Sequence, residues 1–110
     1  MERTDREVII LPSFNKSLVE ICDYIAQDSI KHSDKFVTDL EKVMDKIEKY
    51  PEANSMFRPL AGKRKLYRYK IFKKNYLVIY KLLNSKLIYI RIVNSKRDLR
   101  YYETFRTTDY

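Results

Sequence analysis

Apolar residues recur along this chain with a helical period in its first half and a strand period in its second. Residues Glu7 to Leu11 (EVIIL) run β-branched and large apolar side chains together ahead of Pro12, which predicts a short strand. Leu18, Ile21, Cys22 and Ile25 then fall at i, i+3, i+4 and i+7, the spacing of one helix face, and Ser13 is placed to cap that helix. Asp28-Ser29 reads as a break. A second helix, from about Ser33 to Lys49, puts Phe36, Leu40, Val43, Met44 and Ile47 on one stripe. Asp39, Glu41, Lys42, Asp45, Lys46 and Glu48 fall on its wet side. Pro51 ends it, because proline lacks the next helical donor and disfavours helical geometry in Tyr50 before it. The short connection predicts an antiparallel helical hairpin.

Residues 51–65 carry two prolines and the single glycine, Gly62, and read as a connecting loop. Three strands follow at Leu66–Phe72, Tyr76–Leu83 and Lys86–Val93, separated by the turn-like Lys73-Lys74-Asn75 and Asn84-Ser85. In the last strand Ile88, Ile90 and Ile92 alternate with Leu87, Tyr89, Arg91 and Val93. The isoleucine face is expected to pack on the helices, leaving Arg91 and its neighbours on a more polar face. Residues 94–110 are basic and aromatic with weak periodicity, open to a short helix, an extra strand or a tail. The fold class is therefore α+β: a short N-terminal strand and an antiparallel helical hairpin packed on a mainly antiparallel sheet of about four strands, in one domain over 1–110.

Composition narrows the function classes. A chain of 110 residues can bury roughly two-thirds of its unfolded surface, enough to fold without disulfides or a structural metal. The lone Cys22 has no partner and suits a reduced, cytoplasmic setting. No run of about 18 apolar residues exists, and the opening MERTDRE lacks the basic-then-apolar pattern of a signal segment, so neither membrane spanning nor export is expected. Charge is divided sharply. Residues 1–55 hold 8 Lys and Arg against 12 Asp and Glu, a net of −4, whereas residues 56–110 hold 15 against 3, a net of +12. Such a field attracts an anionic surface, and nucleic acid and an acidic protein are equally compatible with it.

Most site chemistries are then excluded. His32 and Cys22 have no companions at metal-ligand spacing, and one glycine cannot build a phosphate-cradling loop, so no metal and no nucleotide cofactor are expected. What remains is a basic, tyrosine-rich surface: Lys63, Arg64, Lys65, Arg68, Lys70, Lys73, Lys74, Arg91, Lys96, Arg97, Arg100 and Arg106, interleaved with Tyr67, Tyr69, Tyr89, Tyr101 and Tyr102. Guanidinium and ammonium groups neutralise phosphates, phenol rings stack on unpaired bases, and clustered arginines stabilise charge developing on a phosphate. Any individual strand tyrosine is equally well explained by β-propensity and core filling.

The order of elements, with SLVEICDYI and FVTDLEKVMDKIEKYPEA in the hairpin and KRKLYRYKIFKKNYLVIYKLLNSKLIYIRIVNSKRDL in the sheet, resembles the RelE/ParE superfamily of bacterial type II toxins. The similarity covers roughly residues 7 to 100. Its most specific part is a strand with Tyr80 in YLVIY, a tight turn, the strand IYIRIV and then KRD. The resemblance implies a small cytoplasmic, growth-inhibiting toxin of the plasmid-stabilisation type, blocked by a cognate antitoxin. The antitoxin is expected to lay an acidic amphipathic segment over the sheet and basic tail, anchored on Tyr and Arg side chains.

Two actions are known in the superfamily: metal-independent, ribosome-dependent cleavage of mRNA in RelE-like members, and inhibition of DNA gyrase in ParE-like ones. For the nuclease pattern, Arg97 matches the basic position after the last strand, Lys63 or Lys65 the lysines before the sheet, and Tyr101 or Tyr102 the C-terminal tyrosine. If the chain is a nuclease, Arg97, Tyr101 and Tyr102, with Arg68 standing in for the missing arginine, form the catalytic set, and Lys63, Arg64, Lys65, Lys73, Lys74, Arg91, Lys96 and Arg100 of the basic surface are the candidate nucleic-acid or partner contacts. Two departures count against cleavage. Leu77 stands where RelE-like nucleases often carry an arginine, unless Arg68 or Arg91 replaces it, and Asn94 stands where many relatives carry a histidine and cannot donate a proton near neutral pH. These favour ParE-like action. A degenerate, non-toxic toxin fold retained as a binding module is the remaining alternative.

Overall fold

The structure is a computed structural model, and it describes residues 6–57 and 66–96. The elements run β1 (Glu7–Ile10), α1 (Pro12–Ala26), α2 (Ile30–Lys49), one turn of 3-10 helix (Pro51–Ala53), β2 (Tyr67–Phe72), β3 (Tyr76–Leu82) and β4 (Lys86–Asn94). The sheet has the order β1-β4-β3-β2, with β1 parallel to β4 and the other two pairings antiparallel. The expected α+β arrangement is the one observed. Among the described residues, no helix is long and apolar enough to cross a membrane.

Both helices begin earlier than their apolar stripes suggest. The residue at the N-cap of α1 is Leu11, and Pro12 occupies the first turn, where its fixed φ suits the helix and its missing N–H is no loss. Ser13 therefore does not cap. It lies inside the first turn, and its Oγ donates to the carbonyl of Ile90 at 2.6 Å. In α2 the cap is Ser29, whose Oγ accepts from the His32 N–H at 3.1 Å, so the helix starts at Ile30 and Ser33 is a buried interior residue. Ser33 Oγ instead donates to the Cys22 carbonyl across the hairpin. Lys46 and Lys49 occupy the last turn of α2, where cations complement the helix dipole, and Pro51 follows as expected.

One face of the sheet carries the main core. Phe14 and Ile21 of α1, and Phe36, Leu40 and Ile47 of α2, pack on Phe72, Val78, Tyr80, Leu87, Tyr89 and Ile92. Leu18, Cys22, Ile25, Val43 and Met44 flank this cluster, as the helical spacing predicts. The other face carries a smaller cluster of Phe57, Leu77, Ile79 and Val93, bordered by Tyr67, Tyr69 and Ile90.

The expected facing of β4 is overturned over much of its length. Leu87 and Tyr89 face the helices and Ile90 does not, because the strand contains a bulge. Ile79 pairs with Arg91 and the next residue, Tyr80, pairs with Tyr89, leaving Ile90 unmatched. Strict alternation fails at that point. Ile92 returns to the helix side, and Arg91 falls opposite Ile79 on the second face, where the sequence places it.

The bulge frees backbone groups that α1 takes up. Ser13 Oγ donates to the Ile90 carbonyl, while the Ile92 N–H donates to Ser17 Oγ at 3.0 Å. Ser17 is 4% exposed and passes its own proton to the Phe14 carbonyl, so the arrangement is closed. Ser17→Ala leaves a buried N–H without an acceptor, and we expect a loss of about 1–3 kcal/mol in urea unfolding with the fold retained. An unchanged unfolding midpoint would show that the bulge does not depend on this hydroxyl.

Candidate functional site

The basic residues of the described sheet do not form one surface. In β2, Arg68 pairs with Tyr80 and therefore shares the helix-side face. Its Nη1 donates to the Asn54 carbonyl at 2.6 Å, and Tyr80 Oη donates to the Pro51 carbonyl at 2.5 Å while accepting from Asn54 Nδ2 at 3.0 Å. Together they clamp the segment that follows α2. That segment continues along the β2 edge, where Phe57 N–H donates to Tyr67 O and Tyr69 N–H to Ser55 O. What the sequence reads as a plain connecting loop is thus, over its described part, a 3-10 turn and a short edge pairing that shields half of β2.

Arg91 lies on the other face, with Ile79, Leu77 and the aromatic edge of Tyr67 and Tyr69. Lys81 is 5.5 Å from the centre of the Tyr67 ring on this side. Arg68 and Arg91 are therefore separated by the thickness of the sheet. Leu77 is 6% exposed and packs in the second cluster beside Phe57.

Lys73, Lys74 and Lys96 gather at one end of the sheet. The first two form the β2–β3 turn, and the Ser95 N–H donates to the Asn75 carbonyl at 2.7 Å, bringing the chain after β4 alongside. Lys73 is held by Asp39 of α2 at 2.8 Å, with Lys35 on the same carboxylate at 3.0 Å. Asp39 and Glu48, expected on the wet side of α2, are thus half-buried and engaged. Phe36 stacks edge-on against both Phe72 and Tyr76 at the same junction.

Tyr89, a surface candidate in the sequence, is core, as is the Tyr80 of the family pattern. Tyr80 and Tyr89 are fully buried, so Tyr89 is not part of a basic aromatic surface. The Tyr89 hydroxyl sits 2.8 Å from Glu48 Oε2 and 3.1 Å from the Met44 carbonyl, and burial together with the Glu48 carboxylate keeps its phenol protonated well above the usual tyrosine range. Burial likewise raises Tyr80 against the smaller opposing pull of Asn54 and Arg68. Lys63, Arg64, Lys65, Arg97, Arg100, Tyr101 and Tyr102 lie outside the described residues. Among the described residues no three His, Cys, Asp or Glu side chains come together as a metal site.

A strand, a helical hairpin and an antiparallel three-stranded unit closed by a parallel pairing define the class: a small α+β domain. Residues 8–99 match the ParE toxin of type II toxin-antitoxin systems, parDE, and the chain belongs to this family. The fold is similar to a solved chain described as "Chromosomal ParDE TA system from P. aeruginosa", with a TM-score of 0.65 at 11% identity, over 82% of this chain and 96% of that one. No curated protein sequence matches the chain.

The Asp39 contacts carry a pH signature. Hydrogen bonds from Lys73 and then Lys35 hold its carboxyl down, from 3.8 to about 2. The unfolded chain therefore takes up this proton first as the pH falls. The contribution is complete above about pH 4 and is lost as the pH falls through about 2. Asp39→Asn is expected to flatten the acid limb of stability over that window, measured by urea unfolding at low salt, with a smaller difference at high salt because the group is near the surface. Identical acid limbs in the two proteins would refute the assignment.

Proposed function

We propose that the protein is a growth-inhibiting toxin of the cytoplasm that acts on DNA gyrase and is neutralised by a cognate antitoxin. Membership of the ParE toxin family supports the toxin role. The observation that carries the choice of target is Leu77: a leucine packed with Phe57, Ile79 and Val93 presents nothing to a phosphate where RelE-like nucleases often carry an arginine. Arg68 and Arg91 do not restore the pattern. They occupy opposite faces, so their guanidinium groups do not converge on one phosphate, and Arg68 already holds the Asn54 carbonyl.

The antitoxin is expected to bring an acidic amphipathic segment to the basic half of the chain, with affinity that falls as salt rises. Affinity independent of salt would place the contact on apolar packing against the helices instead. For the target, purified toxin is expected to inhibit gyrase supercoiling, with release by the antitoxin, and induced expression is expected to arrest growth with filamentation and intact transcripts. Cleaved transcripts, with toxicity abolished in Arg97→Ala, would overturn this in favour of a metal-independent endoribonuclease using Arg97 and Tyr101 or Tyr102. Absence of growth arrest would leave a non-toxic binding module.

A further inference from the structure

The β2–β3 turn has a backbone that its residues do not favour. Lys73 and Lys74 have φ of 49° and 73°, the left-handed region where a Cβ crowds the following carbonyl. Turns with two such positions are usually built from Gly, Asn or Asp. Asn75 stands next to them, yet positive φ falls on the two lysines. Lys73 has a structural explanation, since Asp39 fixes its ammonium 2.8 Å away and its chain reaches over the Phe72 ring at 5.8 Å. Lys74 is the centre of a tight three-residue turn closed by the Asn75 N–H on the Lys73 carbonyl at 2.7 Å, and its side chain is exposed and, among the described residues, forms no ion pair.

Lys96 is the neighbour that gives Lys74 a use. The Ser95–Asn75 hydrogen bond sets the end of β4 against the turn, and the Lys96 N–H donates to Asn94 Oδ1 at 2.9 Å, bending the chain there. Lys96 is also exposed and lacks an acidic partner among the described residues. Asp39, the acidic group that reaches this turn among the described residues, is already shared between Lys73 and Lys35.

We propose that this end of the sheet, with Lys74 and Lys96 as the contacting groups and Lys73 pinned behind them, is a docking point for the phosphate backbone of double-stranded nucleic acid. A tip made of lysines, donors only and mobile at their ends, suits phosphates, which accept point charges without fixed orientation. A protein partner would be met by aromatic or arginine anchors, and lysine is depleted from such interfaces. The strained turn holds Lys74 ahead of the sheet, and local strain of this kind is tolerated where it places a working group. The inference is independent of the gyrase target, because it is tested on nucleic acid alone.

The experiment measures binding of the full chain to a short labelled DNA duplex by anisotropy across a salt series. Lys74→Asn removes the charge and supplies a residue that accepts positive φ, so its urea midpoint is expected to equal or exceed that of the unsubstituted protein while duplex affinity falls several-fold. The slope of log K against log salt is expected to shrink by about 0.9, the value for one lost phosphate contact. Lys86→Asn is the control: it removes the same charge at the start of β4, about 26 Å along the strand from its other end. Unchanged binding by Lys74→Asn overturns the proposal. So does an equal loss in both variants, which would mean general charge attraction, and so does a loss confined to a poly-glutamate probe, which would assign the tip to an acidic protein.

Discussion

The two serines of α1 and the bulge of β4 depend on each other, and most of the molecule follows from that dependence. An extra residue in a central strand leaves backbone groups without ladder partners, and a buried group of this kind is costly unless something polar reaches it. Ser13 and Ser17, one helical turn apart, reach Ile90 and Ile92 from above. This fixes α1 along β4, and β1 lies on the other side of the same strand through parallel pairing. It also sets which side chains of β4 face the helices: Leu87, Tyr89 and Ile92, in place of a regular alternation.

The helix-side core is then tied to the α2 end by hydroxyls rather than by more apolar packing. Tyr89 reaches Glu48 and the Met44 carbonyl, and Tyr80 reaches Pro51 and Asn54. A buried phenol offers a large apolar ring with one polar end, so it can fill the core and fix the chain leaving α2 with the same side chain. Arg68 completes this fixation, and its position explains why a basic residue of β2 is not part of an open cationic surface. Among the described sheet residues, Arg91 and Lys81 thereby lie on the aromatic second face, apart from Lys73 and Lys74 at the turn end of the sheet.

Helices and strands were legible because their signals are local. The stripes from Leu18 to Ile25 and from Phe36 to Ile47 needed only helical spacing, and the strands needed only short apolar runs between turn residues. Ser13 was misplaced because a side chain able to cap can equally serve a distant carbonyl, and Pro12 had already opened the helix. The helix-facing role of Leu87 and Tyr89 was hidden for a similar reason. Nothing within KLIYIRIVN marks a bulge, whose stability comes from serines more than seventy residues earlier. Of the candidate site, the basic character and the Leu77 departure were legible, whereas the division of Arg68 and Arg91 between two faces was not.

By itself, the sequence determined the elements, their order, the polarity of charge along the chain and the family pattern, since each depends on residues close together in the chain or on their composition. Tertiary structure alone decided which face each strand residue occupies beyond the bulge, which tyrosines are core, which arginine is spent on a loop and which lysines converge at one end. Those outcomes turn on register and on hydrogen bonds between segments distant in sequence, and in β4 a single extra residue reassigns Leu87 and Tyr89 to the helix side while leaving local propensities as they were.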